Sequence, residues 1–557
     1  MPGRPRRPRT AFRGALARRR RGRLKVLFFV HRRGIALNYA SVFAELSQRG
    51  HDVHLAFERK RGLLPRRPLP PRVTAGFAPD RGRFDGWRSI AWLVRAVGDL
   101  ARYSDPRFDR APVLRRRMRR LVLDRLERPD QFDPLARRVA RCVARRLAVT
   151  TDAELSERVI RRAAALEAAI PTSRRINRYI RRQRPDVVLV SPVVKMGSSQ
   201  VDFLKSARRL RIPAASCVAS WDNLTSKGLL RIVPQRVIVW NELQRREAIE
   251  LHGIPAARVV ATGAQSLDHW FEQRPRFSRG EFLTRVGLDP AERYVLFLGS
   301  SPFVTRRPQR EPRFVARWIE ALRASGDDRL RRIGVLIRPH PTGRHWRDAD
   351  LGPFENAVVW PRRSAAPVTP DERADFFDSI AHCDAVVGIN TTAMIEAAIL
   401  RKSVLTILDQ DFAQETTLHF HYLLEEHGGF LHVAGSLEEH VEQLARVLGE
   451  GDKRAEARAR FVEAFVRPHG LDRPATGIFA DTVEKLAEVS VDLERYSRRL
   501  RLLLALDVPL ATLALLTYPA RRRLRRARRR PASPPALPPA PAPAEPARRP
   551  AGAAFDS

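Results

Sequence analysis

Two loops in the second half of the sequence carry residue types that bind phosphate groups. Ser300 and Ser301 follow an apolar run, and such small residues let the backbone approach an anion closely. A second apolar run ends at Arg338, and His340 stands two positions later between two prolines that stiffen the loop. Both side chains can donate hydrogen bonds to an anion. Both loops are candidates for a phosphate site, with the alternative that an isolated Arg-Pro-His-Pro run, which is more often a rigid turn, is only a turn here.

A third loop has a similar composition. Asn390, Thr391 and Thr392 open a helical pattern that carries Glu396. N–H and hydroxyl groups at a helix start form an anion nest, and a carboxylate further along the helix can accept hydrogen bonds from a ribose. A Ser or Thr at such a place is usually only a helix cap. Three phosphate-suited loops in one domain are harder to attribute to capping alone.

Two residues of the first half are candidates for a catalytic base. Asp222 and His31 each follow an apolar, strand-like run. In open α/β sheets, ligands bind beyond the carboxyl ends of the strands, so both side chains are expected to face a cleft. Asp and His side chains can take a proton from a substrate hydroxyl, and Asp222 is the first candidate for such a base and His31 the second. As alternatives, Asp222 only caps a turn and His31 only contacts phosphate.

The remaining histidines and the cysteines predict no metal site. On a helix, His419 and His421 would not share a face, although on a strand they would. Cys142, Cys217 and Cys383 are far apart and odd in number, which speaks against a disulfide framework or a zinc site and fits a reducing cytosol. No cofactor is expected.

The elements that must position these residues follow an alternating pattern. Short apolar runs, typical of buried parallel strands, alternate with helical patterns. The predicted strands are 24–30, 52–57, 186–190, 214–219, 236–240 and 258–263 in the first half, and 294–299, 334–337, 385–388 and 403–407 in the second. This predicts an α/β protein with two Rossmann-like domains that face a cleft.

Changes in composition place the domain boundaries. The predicted segments are a disordered basic tail (1–23), an N-terminal Rossmann-like domain (24–271) with an Arg-dense helical insertion at about 86–182, a linker (272–292), a C-terminal Rossmann-like domain with the predicted nucleotide site (293–490), a C-terminal helix with an apolar and a polybasic part (491–526) and a disordered Pro/Ala-rich tail (527–557).

The charge and the C-terminal helix point to an anionic partner. The formal net charge of the 557-residue chain is +42, and such a field attracts anionic membranes, nucleic acids or phosphorylated substrates. The excess of arginine equally fits the coding bias of a GC-rich genome. An apolar stretch from Leu502 is shorter than the about 20 residues of a membrane span and contains Asp507 and Pro509. Because arginines follow it, we expect a peripheral helix on the inner face of the membrane, with packing on the protein's own surface as the alternative.

The order of these motifs resembles bacterial surface-carbohydrate transferases with the GT-B fold. It is similar to capsule, sialyl- and Kdo-type glycosyltransferases and to CDP-glycerol glycerophosphotransferases, over about residues 24–490. In those families a His-Pro pair and a Ser/Thr pair hold the donor phosphates, and by position these match His340 with Pro341 and Thr391 with Thr392. A Glu-x7-Glu retaining motif and the glycerophosphotransferase histidine motifs are not evident. The donor and the stereochemistry therefore stay open.

The resemblance implies an enzyme, which the cysteines place in the cytoplasm and which the basic surface and the segment 502–526 would hold at the inner face of the membrane. It would transfer a sugar or sugar-phosphate-like group from a nucleotide-activated donor on the second domain to a cell-envelope glycan or lipid-linked acceptor on the first. One alternative is a nucleotide-sugar epimerase of the same fold, similar to UDP-GlcNAc 2-epimerase, which has no need of a membrane segment. Another is a non-catalytic polyanion-binding protein, although no nucleic-acid motif and no basic stretch interleaved with aromatic residues is present.

Overall fold

A computed structural model describes most of the chain between the two tails. The described residues are 22–58, 68–82, 84–127, 132, 134–300, 304, 309–347, 349, 354–362, 367, 369–412, 417–493 and 496–528. Ser301 and nearly all of both predicted tails lie outside them.

The first domain is built on a seven-stranded parallel sheet. Its strands are β1 Lys25–Val30, β2 Asp52–Phe57, β3 Val73–Phe77, β4 Val187–Ser191, β5 Ala214–Cys217, β6 Arg236–Val239 and β7 Val259–Ala261. They lie in the order β3-β2-β1-β4-β5-β6-β7, and all pairs are parallel. β1 and β4 are buried almost throughout, as expected of strands covered by helices on both faces. The strand order reverses between β1 and β4.

A six-stranded parallel sheet forms the second domain. Its strands are β8 Tyr294–Leu298, β9 Gly334–Arg338, β10 Ala357–Val359, β11 Ala385–Gly388, β12 Val404–Ile407 and β13 His432–Ala434. Their order is β10-β9-β8-β11-β12-β13, so the reversal lies between β8 and β11. The two parallel sheets confirm the predicted α/β class with two Rossmann-like domains in a GT-B arrangement.

Helices connect the strands of both sheets. Up to residue 272 they are α1 Arg33–Leu37, α2 Ala40–Gln48, α3 Gly86–Arg102, α4 Pro112–Leu126, α5 Pro134–Val149, α6 Ala153–Ala169, α7 Arg174–Gln183, α8 Val201–Arg209, α9 Asn223–Ser226, α10 Glu242–Glu250 and α11 His269–Glu272. Beyond it they are α12 Arg279–Val286, α13 Arg310–Arg323, α14 Asp328–Arg332, α15 Pro370–Ala381, α16 Ala393–Ile399, α17 Leu437–Glu450, α18 Ala455–Val466, α19 Ala475–Leu486 and α20 Arg498–Arg528.

Helices α3 to α6, which follow β3 in the chain, pack together as a layer with its own apolar core, and buried charges fix this layer to the sheet domain. Arg95 of α3 pairs with Glu167 of α6 at 2.8 Å and with Asp202 of α8 at 2.9 Å. Lys205 pairs with Glu167 at 3.0 Å, and Arg81 pairs with Asp202 at 2.9 Å. All five side chains are nearly inaccessible to water, so removing one partner would leave a buried charge without compensation.

The chain crosses between the domains twice, and Asp268 joins the two crossings. Its Oδ1 accepts from Nε of Arg467 at 3.1 Å, and its Oδ2 accepts from the backbone N–H and the hydroxyl of Thr476. After the second crossing, α19 returns to the first domain, where Phe479 is buried in the core of its sheet. Within 272–292, α12 buries Phe282 in the core of the second domain. The interdomain segments thus meet at one carboxylate.

Candidate functional site

In each sheet, two loops lie at the point where the strand order reverses. In the first domain they begin at His31 after β1 and at Pro192 after β4. In the second domain they begin at Gly299 after β8 and at Ile389 after β11. In an open parallel sheet, the connections leave in opposite directions at this point and open a crevice, which is the usual ligand site. Of the predicted loops, those with His31, Ser300 and Asn390 lie at these crevices, whereas those with Asp222 and His340 follow the neighbouring strands β5 and β9.

His31 is held by a carboxylate at the crevice of the first sheet. Its Nδ1 lies 2.5 Å from Oε2 of Glu58, and the hydroxyl of Ser199 donates to the other oxygen of that carboxylate. Its Nε2 lies 3.3 Å from Nζ of Lys195. Because an ammonium only donates, we assign the ring proton to Nδ1 and its hydrogen bond to Glu58. Lys195 is exposed.

Asp222 stands at the N-cap position of α9, but its side chain does not cap that helix. Its Oδ2 instead accepts from Nζ of Lys227 at 2.6 Å and from the hydroxyl of Ser226 at 2.9 Å. Burial alone would raise the pKa of Asp222, but the charge of Lys227 and the neighbouring His419 hold that pKa well below its usual range. At neutral pH the side chain is therefore an ionised, paired carboxylate.

Trp221 joins this loop directly to the second domain. Its Nε1 donates to Oγ1 of Thr392 at 3.1 Å, and its ring meets His419 edge to face, with 4.6 Å between the centroids. Nδ1 of His419 lies 3.4 Å from the hydroxyl of Thr225. Burial lowers the pKa of His419 to about 4, so the ring is neutral at pH 7. The loops after β5 and β11, predicted as parts of separate domains, thus touch across the cleft.

The loop after β11 combines paired and unpaired groups. Asn390 is buried and donates from Nδ2 to the hydroxyl of Thr417 at 2.9 Å. The hydroxyl of Thr391 lies 3.5 Å from the backbone N–H of Ala393 and accepts from it. Glu396 is half-buried, and within the described chain its carboxylate has no hydrogen-bond or ion-pair partner. Burial raises the pKa of Glu396 to about 7.

His340 presents one ring nitrogen to its surroundings. Nδ1 accepts from the backbone N–H of Thr342 at 3.2 Å, which places the ring proton on Nε2. Nε2 has no partner among the residues that the structure describes. Burial lowers the pKa of His340, so the ring is a neutral hydrogen-bond donor at pH 7. Gly299 packs against this loop so closely that a Cβ there would come within 2.8 Å of the backbone nitrogen of His340.

Ser300 and Arg338 form hydrogen bonds within the second domain itself. The N–H and the hydroxyl of Ser300 both donate to the buried Glu311 of α13, at 2.7 Å and 2.6 Å. Arg338 donates to Asp375 at 3.0 Å and to the hydroxyl of Ser379 at 2.6 Å, both in α15. In this conformation the two side chains therefore order the helices behind the loops.

Three charged residues of the site did not stand out in the sequence. Glu58 lies 27 positions from His31 and follows a strand that carries no motif. Lys195 and Lys227 lie among irregular residues, but the chain has only eight lysines, and these two follow β4 and β5. Because the positive charge of the chain is almost entirely arginine, the scarcity of lysine was the sequence feature that could have identified these two residues. Among the described residues, no cluster of three or more His, Cys, Asp or Glu side chains is arranged to hold a metal ion.

No family model matches the sequence, and no curated relative matches it. Solved structures show a distant likeness in chain course. A putative UDP-N-acetylglucosamine 2-epimerase from Listeria monocytogenes is 12% identical, with 86% of this chain and 100% of that chain covered and a TM-score of 0.48. The UDP-GlcNAc 2-epimerase from Neisseria meningitidis bound to UDP-GlcNAc is 13% identical over 83% and 100%, with a TM-score of 0.44. The wall teichoic acid polymerase TagF is 9% identical over 83% and 89%, with a TM-score of 0.39. Likeness at this level carries no conclusion on activity, which has to be argued from the residues of this chain.

Proposed function

We propose that the protein is a transferase that moves a sugar or sugar-phosphate-like group from a nucleotide-activated donor to a hydroxyl of a cell-envelope glycan or lipid-linked acceptor. The donor would lie against the second domain and the acceptor against the first. Reaction would take place in the cleft between the two crevices.

The observation that carries this proposal is the pairing of His31 with Glu58 at the crevice of the first sheet. A histidine whose Nδ1–H is held by a carboxylate presents Nε2 as a base in a fixed direction. The second crevice offers groups that suit a nucleotide instead, namely the Nε2–H of His340, the hydroxyls of Thr391 and Thr392 and the carboxylate of Glu396. A base on one side and anion- and ribose-binding groups on the other are what group transfer to a hydroxyl requires.

The proton and the charge can be followed through the step. The acceptor hydroxyl gives its proton to Nε2 of His31, and its oxygen forms the new bond to the transferred group. The bond from that group to the nucleotide phosphate breaks, and the electron pair leaves with the phosphate. Glu58 stabilises the imidazolium that forms. The hydrogen-bond donors of the second crevice, His340 foremost, stabilise the negative charge on the departing phosphate.

Asp222 has a different task in this scheme from the one its position suggested. Its carboxylate is ionised and bound to Lys227, so it is a poor proton acceptor at neutral pH. It holds the Lys227 ammonium and follows Trp221, which makes the contact between the domains, directly in the chain. We therefore assign the base to His31 and a positioning role to Asp222.

Thermal unfolding of the full chain against UDP, CDP, CMP and GDP tests the donor site. A nucleotide at 100 times its dissociation constant stabilises the folded state by about 2.7 kcal/mol. We expect one of the four to raise the melting temperature, and His340→Ala to abolish the rise. His427→Ala removes an exposed histidine of the same domain and is the matched control. No shift with any nucleotide, in folded protein, would contradict the proposal.

Turnover of a nucleotide sugar with and without an acceptor distinguishes transfer from epimerisation. With the activated sugar of the nucleotide identified above, the transferase hypothesis expects no turnover until an acceptor is added. Conversion of the nucleotide sugar to an epimer without acceptor would establish the epimerase alternative. Salt-sensitive binding of nucleic acid that excludes nucleotides would establish the polyanion-binding alternative.

A further inference from the structure

The C-terminal helix α20 has two faces with different surroundings. One face packs on α3, where Val508 and the almost fully buried Ala511 belong to one apolar cluster with Ile90. The approach is close, because a Cβ at Gly86 of α3 would come within 2.5 Å of the carbonyl oxygen of Val508. Arg501 adds a hydrogen bond from Nε to the carbonyl of Ala169 at 2.7 Å. The orientation of α20 on the insertion layer is therefore set by specific contacts.

The opposite face of α20 exposes large apolar side chains. Leu502, Leu503, Leu506 and Leu510 have relative accessibilities of 68%, 63%, 75% and 49%. Their spacing along a helix of 3.6 residues per turn puts them on one continuous stripe. Single exposed leucines are common on protein surfaces, but a contiguous stripe of them marks a contact surface.

Positive charge flanks this leucine stripe at both ends. The sequence of α20 contains nine arginines and one acidic residue. Arg498 and Arg499 precede the leucines and are exposed, and the other group lies at 521–528. The helix thus combines an apolar middle with two cationic ends, on a chain whose formal net charge is +42.

We propose that the leucine stripe of α20 docks on an anionic lipid surface, with the helix parallel to the bilayer plane. The leucines would enter the boundary between headgroups and acyl chains while the arginines contact anionic headgroups. A transverse helix does not fit, because one face of α20 is occupied by α3. Within the described chain, no helix combines the length and the apolarity of a membrane span.

Charge complementarity favours lipid over a second copy of the chain as the occupant. Both ends of α20 are cationic, so two copies packed stripe to stripe would bring arginines against arginines in a parallel or an antiparallel arrangement. An anionic bilayer satisfies the leucines and both arginine groups together. This inference is independent of the reaction proposed for the cleft.

Co-sedimentation of the full chain with vesicles tests the proposal. We expect binding to phosphatidylcholine vesicles that contain phosphatidylglycerol, weaker binding to pure phosphatidylcholine, and a decrease as salt is raised. Leu503→Gln combined with Leu506→Gln should lower the partition coefficient at least about tenfold, because two leucines no longer leave water. Leu471→Gln changes an exposed leucine of the second crossing and should bind like wild type.

Two further measurements make each outcome decisive. The melting temperature of the double variant should equal that of wild type, because both leucines are exposed in the free protein; Leu502→Gln with Leu510→Gln replaces it if it does not. Light scattering without lipid should show the same mass for wild type and variant. Undiminished vesicle binding by the variants would overturn the proposal. So would absence of binding by wild type, or a wild-type dimer that the double substitution dissociates, which would make the stripe an interface between copies.

Discussion

The two sides of the cleft differ in whether all their candidate site groups have hydrogen-bond partners. On the first domain, His31 is paired with Glu58 and Asp222 is paired with Lys227. On the second domain, Glu396 and the Nε2–H of His340 have no partner within the described residues. On the first side, both candidate residues therefore have partners without a ligand. The second side has polar groups that a ligand can satisfy.

This difference separates preorganisation from binding. Groups that change their protonation state during a reaction act best when partners already fix their orientation, as Glu58 does for His31. Groups that bind a substrate contribute most when the substrate satisfies them, since an unsatisfied buried polar group costs about 1–3 kcal/mol. We therefore expect substitutions on the first side to lower kcat, and substitutions on the second side to weaken nucleotide binding.

The largest expected effect is that of His31→Ala. Loss of a general base lowers kcat by about 10²- to 10⁴-fold, and nucleotide affinity should not change because the ligand contacts the other domain. Glu58→Gln keeps the shape of the partner but removes its charge, so kcat should fall by a smaller factor at constant KM. Steady-state rates with donor and acceptor, together with nucleotide titration, measure both quantities. A kcat equal to that of wild type in folded His31→Ala would show that His31 is not the base.

A second comparison decides between the two candidate bases. If Asp222 acts only through Lys227, then Asp222→Asn and Lys227→Met should lower kcat by the same factor, about 10- to 100-fold, and the double variant should be no worse than either. If Asp222 is the base, Asp222→Asn should cost far more than Lys227→Met. Because the pKa of Asp222 lies well below its usual range, its carboxylate stays ionised, and its state should not alter the rate above about pH 5.

On the second side, Gly299→Ala should affect stability and binding together. The new Cβ would press on the backbone of His340, and overpacking of this kind costs about 1–3 kcal/mol. We expect a lower melting temperature and nucleotide affinity reduced by about tenfold, since His340 is displaced. Gly280→Ala is the matched control, because its Cβ would meet no atom within 4 Å. Unchanged affinity in Gly299→Ala would mean that the His340 loop does not contact the nucleotide.

The sequence predicted the central strands of both sheets but not three of the outer ones. β1, β2 and β11 were recognisable because strands covered on both faces are continuous apolar runs. The strands without such a run, β3, β10 and β13, lie at the margins of their sheets and are largely half-buried or exposed. Their pattern is therefore hard to distinguish from that of a loop.

The sequence indicated where the candidate site residues lie better than it indicated which residues they hydrogen-bond to. The rule that ligands lie beyond strand ends led to His31, His340 and the loop from Asn390. It did not reveal that Ser300 and Arg338 hydrogen-bond to α13 and α15. Binding a phosphate and bonding to a helix of the same domain both need these residue types at the end of a strand, so the sequence does not distinguish them. It also did not reveal Glu58, because pairing between strands links residues that no local pattern connects.

The smallest expected effect is the change in pH dependence caused by replacing Glu396, one of the groups without a partner on the second side. Its pKa is raised to about 7 in the folded protein, whereas that of an unfolded glutamate is about 4.3. Between these values the folded protein keeps a proton that the unfolded chain has lost, so this group makes stability fall as the pH rises through that window. Relative to wild type, Glu396→Gln should lose this dependence, a difference in melting temperature of about 2 °C or less between pH 5 and 7. As a control at an exposed position, Glu463→Gln should leave the pH dependence of the melting temperature as it is in wild type. A nucleotide whose ribose donates to the carboxylate should bind more tightly as the pH rises from 6 to 8, and Glu396→Gln should abolish that gain; a gain that persists in the variant would place the ribose elsewhere.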